Sequence, residues 1–456
     1  MISLNIPDEL VINHIHYLQK NGLEDRIKKL LAEDIVQAIK NELGQKTADE
    51  HRDFVKFILN EIDELKEKNV CELKDNIFVG DFDALNRMIQ YVLEEFPSID
   101  TCIREKKQIY VNKNYQEILL EAFGYEEFSQ EPLTSFYDRE YMFLKKFNKT
   151  YLKNLLKEKG GSYSEVISYL LEALDKAHAE GDFLLQEVML FINMKLKEAC
   201  DTEYKRRNDF LNDIQDIYGC ALNVIKEKMN STVINVMTYK DYKQRYHTWS
   251  AYDFVMGLGV KVCPYCNVNY VSPIYGMNGK ARADLDHFYA KHIYPYLSIS
   301  IYNLVPACKV CNSSLKKGKE FDASNISVYE TGLEELYRFT YYPIDFDSFT
   351  GNGDIDIEIK YRKSERARKI MHNQQALSIR DIYQYHTNVA KDYIKKSQIY
   401  DEAYIEDIYT RYSNLFSSKQ EVKECLFEIG TDVKNQSLGK FKTDIAKELG
   451  LIDESG

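Results

Sequence analysis

Two Cys-x-x-Cys pairs lie within one short segment: Cys263 and Cys266 in KVCPYCN, and Cys308 and Cys311 in PACKVCN. Two residues between cysteines let a tight knuckle present both sulfurs to a single ion, so two such pairs can close a tetrahedral thiolate site. The redox use of the motif expects one pair in a βαβ context, which this segment lacks. The pairs therefore predict structural Zn²⁺ held by Cys263, Cys266, Cys308 and Cys311. A closed four-thiolate site has no open position for water, so this ion would staple the fold rather than perform chemistry. The other cysteines (71, 102, 200, 220 and 425) stand alone and read as small core residues.

Around this staple the 456-residue chain changes texture twice. Residues 1–250 read as helices, since LEDRIKKLLAEDIVQAIKNEL, DEHRDFVKFILNEIDELKEK and YSEVISYLLEALDKAHA space apolar residues by three and four. Breaks fall near Gly44, Pro97, Gly124, Pro132 and Gly160-Gly161. Residues 251–325 are rich in β-branched, aromatic and turn-forming residues: a knuckle at the first pair, a strand into Asp286-His287, an extended piece near Asn303 and a short helix opening near Asn312. Residues 326–456 begin with a β appendage, in which DIDIEIKY alternates with period two, and return to helical spacing. The fold class expected is mainly α, with an inserted small zinc-stapled module and a small β appendage after it.

The composition excludes several classes. With 44% hydrophobic and 29% charged residues the chain has ample core material, and every apolar stretch is cut by Lys, Glu or Asp well short of the ~20 residues a membrane span needs. The opening MISLNIPDELV shows no secretory signal pattern, and a cytoplasmic protein is the expectation. Sixty Lys+Arg against 72 Asp+Glu give a net charge of −12, which argues against a protein coated in nucleic acid. The charge is unevenly spread, however. Residues 261–320 carry eight basic residues against Asp284, Asp286 and Glu320, a net of +5, leaving −17 for the rest. A basic island on an acidic body suits a polyanionic substrate met at one place. The cluster Lys205, Arg206, Arg207 reads as a solvated helix face.

Between the cysteine pairs lies a second constellation: Asp284-Leu285-Asp286-His287, Asn303 in YNLVP, and Asn312 directly after Cys311. Asp286 and Asn312 offer hard oxygen donors of the kind Mg²⁺ or Mn²⁺ takes. His287 can accept a proton from water near neutral pH. Alone, an Asp-His pair is usually a surface couple and N-L-x-P a turn; their order inside a zinc frame is what gives them weight. Asp284 shares a strand face with Asp286 and reads as a supporting partner of it, with a second metal ligand as the alternative.

The run C-P-Y-C … D-L-D-H-F-Y … Y-N-L-V-P-A-C-K-V-C-N-S-S-L-K-K resembles the zinc-containing form of the HNH endonuclease family, over about residues 249–325. The resemblance implies a ββα-metal (treble-clef-like) module. It implies His287 as general base, Asp286 as carboxylate ligand of the catalytic metal, Asn303 as the residue fixing the loop around the base, and Asn312 as second metal ligand. Lys291, Lys316 and Lys317 are the implied phosphate contacts. It further implies a metal-dependent endonuclease, DNA favoured over RNA. By the same likeness the chain would be an effector in bacterial anti-phage defence beside a protein partner such as an ATPase or sensor. The alternative is a zinc module that binds nucleic acid or a protein partner without cutting.

Overall fold

The computed structural model describes residues 1–110, 112–129, 143–179, 186–231, 249–276, 279–317, 319–429 and 432–452. Pro132 and the side chain of Lys280 lie outside the described residues. The chain is mainly helical with four small two-stranded sheets among the described residues. None of the described helices is long and apolar enough to cross a membrane.

The chain forms two compact units. The first joins Met1–Gln130, Phe254–Pro273 and Arg282–Gly456. Its N-terminal part is built from α1 (Asp8–Lys20), α2 (Leu23–Lys29), α3 (Glu33–Leu43), α4 (Gln45–Glu67), α5 (Phe82–Glu95) and α6 (Pro97–Arg104), then a short hairpin of β1 (Gln108–Tyr110) and β2 (Lys113–Asn114), and α7 (Tyr115–Phe123) and α8 (Tyr125–Ser129). The long helix α4 shows why: Ala48, His51, Val55, Ile58, Ile62 and Leu65 alternate steps of three and four, and all are buried against the helices that pack on it. Full burial of each large apolar side chain contributes roughly 1.5–3 kcal/mol. Side chains set the helix starts. Asp81 accepts from the Ala84 amide to open α5. Asn114 and Glu117 form a reciprocal cap on α7.

The second unit holds Glu131–Asp253 and Ile274–Ala281. Its described helices are α9 (Lys149–Glu158), α10 (Tyr163–Ala179), α11 (Gln186–Cys200) and α12 (Arg207–Ser231), packed around Leu155, Leu170, Ile192, Leu196, Phe210 and Ile214. A short antiparallel hairpin of β3 (Ile274–Gly276) and β4 (Gly279–Ala281) completes it.

The remaining segments return to the first unit. β5 (Asp284–His287) pairs antiparallel with β6 (Leu304–Ala307), His287 opposite Leu304 and Asp284 opposite Ala307. A wide helical turn, Val310–Leu315, follows, closed by an amide of Lys316 on the carbonyl of Cys311. β7 (Tyr337–Pro343) and β8 (Ile355–Tyr361) make the β appendage, and helices follow to Gly439–Glu448. A two-stranded hairpin is marginal alone. The cysteine segment around β5 and β6 is braced from both ends of the chain: the Ile2 amide bonds the Pro264 carbonyl at 2.8 Å and, just beyond the segment, the Leu4 amide the Val328 carbonyl at 2.6 Å. From the other side, the Tyr383 hydroxyl donates to the Cys266 carbonyl at 2.9 Å. These ties make the division differ from the expected 1–250, 251–325 and 326–456. The first 130 residues and the C-terminal region are packed with the cysteine segment instead of standing as separate domains.

Candidate functional site

The two knuckles form where the spacing placed them. After Cys266 the chain turns on Asn267 in the left-handed region (φ 55), which asparagine tolerates better than most residues. Its amide closes on the Cys263 carbonyl at 2.7 Å, and its side chain accepts from the Lys440 amide and donates to the Val433 carbonyl. In the second knuckle the Asn312 amide closes on the Cys308 carbonyl at 2.9 Å. The four buried sulfurs of Cys263, Cys266, Cys308 and Cys311 lie within 4.8 Å of one another. The Cys266–Cys308 separation of 3.9 Å is close to the edge of a tetrahedron with bonds of ~2.3 Å to a central ion. Amides of Val268, Cys308 and Cys311 and the Asn269 side chain donate to these sulfurs at 3.3–3.4 Å, which favours thiolates. The donor set and its spacing fit a structural metal such as zinc.

Tyr265, between the first two cysteines, links this group to the hairpin. Its buried hydroxyl donates to Asp286 Oδ2 at 2.6 Å. The same oxygen takes the Lys316 ammonium at 2.6 Å, and Lys316 also donates to the carbonyls of His287 at 2.7 Å and Phe288 at 3.2 Å. Lys316 is only 5% exposed and sits over the Phe321 ring, and burial lowers its pKa. This differs from the expected role of Lys316 as a phosphate contact. After the wide turn the side chain lies inward, where it pairs with Asp286 and holds the backbone carbonyls of His287 and Phe288.

Asn312 therefore meets a different carboxylate from the expected one. Its side chain contacts Asp284 Oδ2 at 3.1 Å, with the Ser313 hydroxyl on the same oxygen at 3.4 Å. Asp284 and Asn312 are half-buried. Among the described residues the group of side chains placed to hold a metal ion is the four cysteines. The Asn312 amide nitrogen is the donor to this carboxylate.

His287 is half-buried at the end of β5. Nε2 lies 3.0 Å from the Ser298 carbonyl, which can only accept, so the proton is on Nε2 and Nδ1 keeps its lone pair. No hydrogen bond to Nδ1 is present among the described residues. Burial first, then the positive charge of Lys291 and Lys316, pushes the imidazole pKa down to about 3, so the ring is neutral throughout the physiological range. Asn303, fully buried, fixes the loop behind it. Its oxygen accepts the Tyr289 amide at 2.7 Å, and its amide group donates to the carbonyls of Tyr289 and Leu297 at 3.0 and 2.9 Å. From the upstream part of the chain, His14 of α1 bonds the Ile299 carbonyl at 2.8 Å, and the Ser300 hydroxyl donates to the carbonyl of Ile77 in the turn before α5. Lys291 pairs with Glu126 at 2.7 Å, and Lys317 is exposed.

The Asp286–Lys316 pair yields a stability prediction. Removing only the carboxylate (Asp286→Asn) leaves a buried ammonium uncompensated, at a cost of about 3–5 kcal/mol. The double variant Asp286→Asn, Lys316→Met should recover most of that loss in urea unfolding. A single-variant loss below about 1 kcal/mol would contradict the pairing.

Tyr265, Asp284 and Tyr125 are the site residues that sequence reasoning missed or placed further out. Asp284 is visible in the sequence two residues before Asp286 and Tyr265 between the first two cysteines, whereas nothing around Tyr125 carries a signal. No protein-family model, curated protein or solved structure matches the chain.

Proposed function

We propose that the protein is an HNH-type, divalent-metal-dependent endonuclease that hydrolyses phosphodiester bonds, with DNA the favoured substrate. The observation that carries this reading is the convergence on one short hairpin of a tautomer-fixed His287, the Asp284–Asn312 pair and a four-cysteine staple. His287 accepts a proton from water at Nδ1, and the Ser298 carbonyl holds the imidazolium that results. A cation such as Mg²⁺ or Mn²⁺ on Asp284 and Asn312 would supply charge stabilisation to the phosphate oxyanion and the leaving 3′-oxygen. Asp286, bound to Lys316 and Tyr265, holds the strand that carries both groups. Asn303 keeps the loop that supplies Ser298 in place. Lys291 and Lys317 remain the candidate phosphate contacts. The sequence resemblance also supports a role as a defence effector working with a protein partner.

The engagement of Asp286 by Lys316 favours one second reading, a zinc module that binds nucleic acid or protein without cutting it. The two readings separate on plasmid DNA. The endonuclease nicks it with Mg²⁺ or Mn²⁺, is silenced by EDTA in the assay, and loses cation dependence and activity together in Asp284→Asn. A wild type that binds plasmid yet leaves it intact in both cations supports the second reading.

A further inference from the structure

The imidazole of His287 is touched by a residue from outside the cysteine segment. Tyr125, the first residue of α8, sets its ring edge-on to His287, with centroids 4.4 Å apart and planes at 69°. The ring is 8% exposed, so the contact is a buried one. Its other neighbour is the Lys291 ammonium, 4.7 Å from the ring centroid. Aromatic contacts of this geometry restrict ring rotation as well as burying area.

The placement of Tyr125 is over-determined. Gly124 ends α7 in the left-handed conformation (φ 71), and its amide closes on the Leu120 carbonyl. A side chain at Gly124 would meet the Arg26 guanidinium, which donates to the Ala122 carbonyl at 3.1 Å. At the far end of α8, Phe128 is fully buried against His14 and Tyr17, and Arg282 donates to the Ser129 carbonyl at 3.0 Å. The helix is thus pinned on both sides of the tyrosine. A ring held by one hydrogen bond at Nε2 can still swing about that bond, and Tyr125 closes this freedom.

We propose that Tyr125 is a positioning residue for His287: it clamps the imidazole edge-on while the Ser298 carbonyl holds Nε2, leaving one orientation for Nδ1. This rests on the reading of His287 as the base. It assigns the upstream helices a part in building the site itself.

The test uses full-length Tyr125→Phe and Tyr125→Leu, the second keeping apolar bulk so that the fold survives. Two readouts are taken: plasmid nicking with Mg²⁺, and the imidazole ¹⁵N resonances of His287 in ¹⁵N-histidine-labelled protein, assigned by their loss in His287→Gln. The phenylalanine variant should keep both, because the ring and not the hydroxyl makes the contact. The leucine variant should lower kcat about ten- to hundredfold with KM within about twofold, and shift or broaden the His287 resonances. A leucine variant with wild-type resonances and wild-type kcat overturns the proposal. If the wild type hydrolyses nothing, the reading of the site fails; the resonances then decide the clamp alone, a change in the leucine variant supporting it and no change overturning it.

Discussion

Replacing Cys266 and Cys308 together by serine is expected to remove about one zinc ion per chain and to unfold the hairpin that carries His287. The two sulfurs come from different knuckles, so the double variant leaves one thiolate in each half and no two-thiolate chelate in either. Metal binding that exists only in the folded state is folding free energy, about 10–16 kcal/mol for four-ligand zinc peptides at neutral pH. Little else in the hairpin could replace it. β5 and β6 are four residues each, and Pro306 supplies no amide to the ladder. The ties from Ile2, Leu4 and Tyr383 all reach backbone within or beside the cysteine segment, so they hold that segment only while it is folded. Elemental analysis should show zinc in the wild type and none in the variant, and hydrogen exchange should show lost protection across residues 284–307. Full protection without metal would mean that the four sulfurs are ordinary core residues.

How much of this was legible in the sequence differs from residue to residue, for physical reasons. The cysteine pairs were readable because knuckle geometry is local: two intervening residues suffice to aim both sulfurs. The strand into Asp286-His287 and the extended piece after Asn303 were readable from β-branched and aromatic content, and both are present as β5 and β6. The choice between Asp284 and Asp286 was not. A strand puts both on one face, and which of them meets Asn312 depends on where Lys316 points. That in turn depends on the turn Val310–Leu315 being wound wider than an α-helix, which no spacing rule announces. The compact units divide the chain elsewhere than at the expected boundaries for a related reason. Composition changes near residue 250, but packing follows hydrogen bonds such as Ile2 to Pro264 and Asn267 to Lys440, which join segments far apart in the chain. Tyr125 was invisible on the same grounds, since nothing near it in sequence mentions a histidine.

The second large effect concerns catalysis. His287→Ala removes the one neutral imidazole whose Nδ1 lone pair is left open by the Ser298 contact. The alanine variant should keep its zinc and its fold. Its side chain is half-buried, and the ties of this corner run through the Asn303 side chain and the backbone carbonyl of residue 287, which alanine retains. Loss of a positioned general base costs typically 10²–10⁴ in rate. The most direct measurement compares purified wild type and His287→Ala on supercoiled plasmid with Mg²⁺, at equal zinc content. A base at this position predicts nicking by the wild type and at least about a hundredfold slower nicking by the variant. Equal nicking by the two proteins would contradict it.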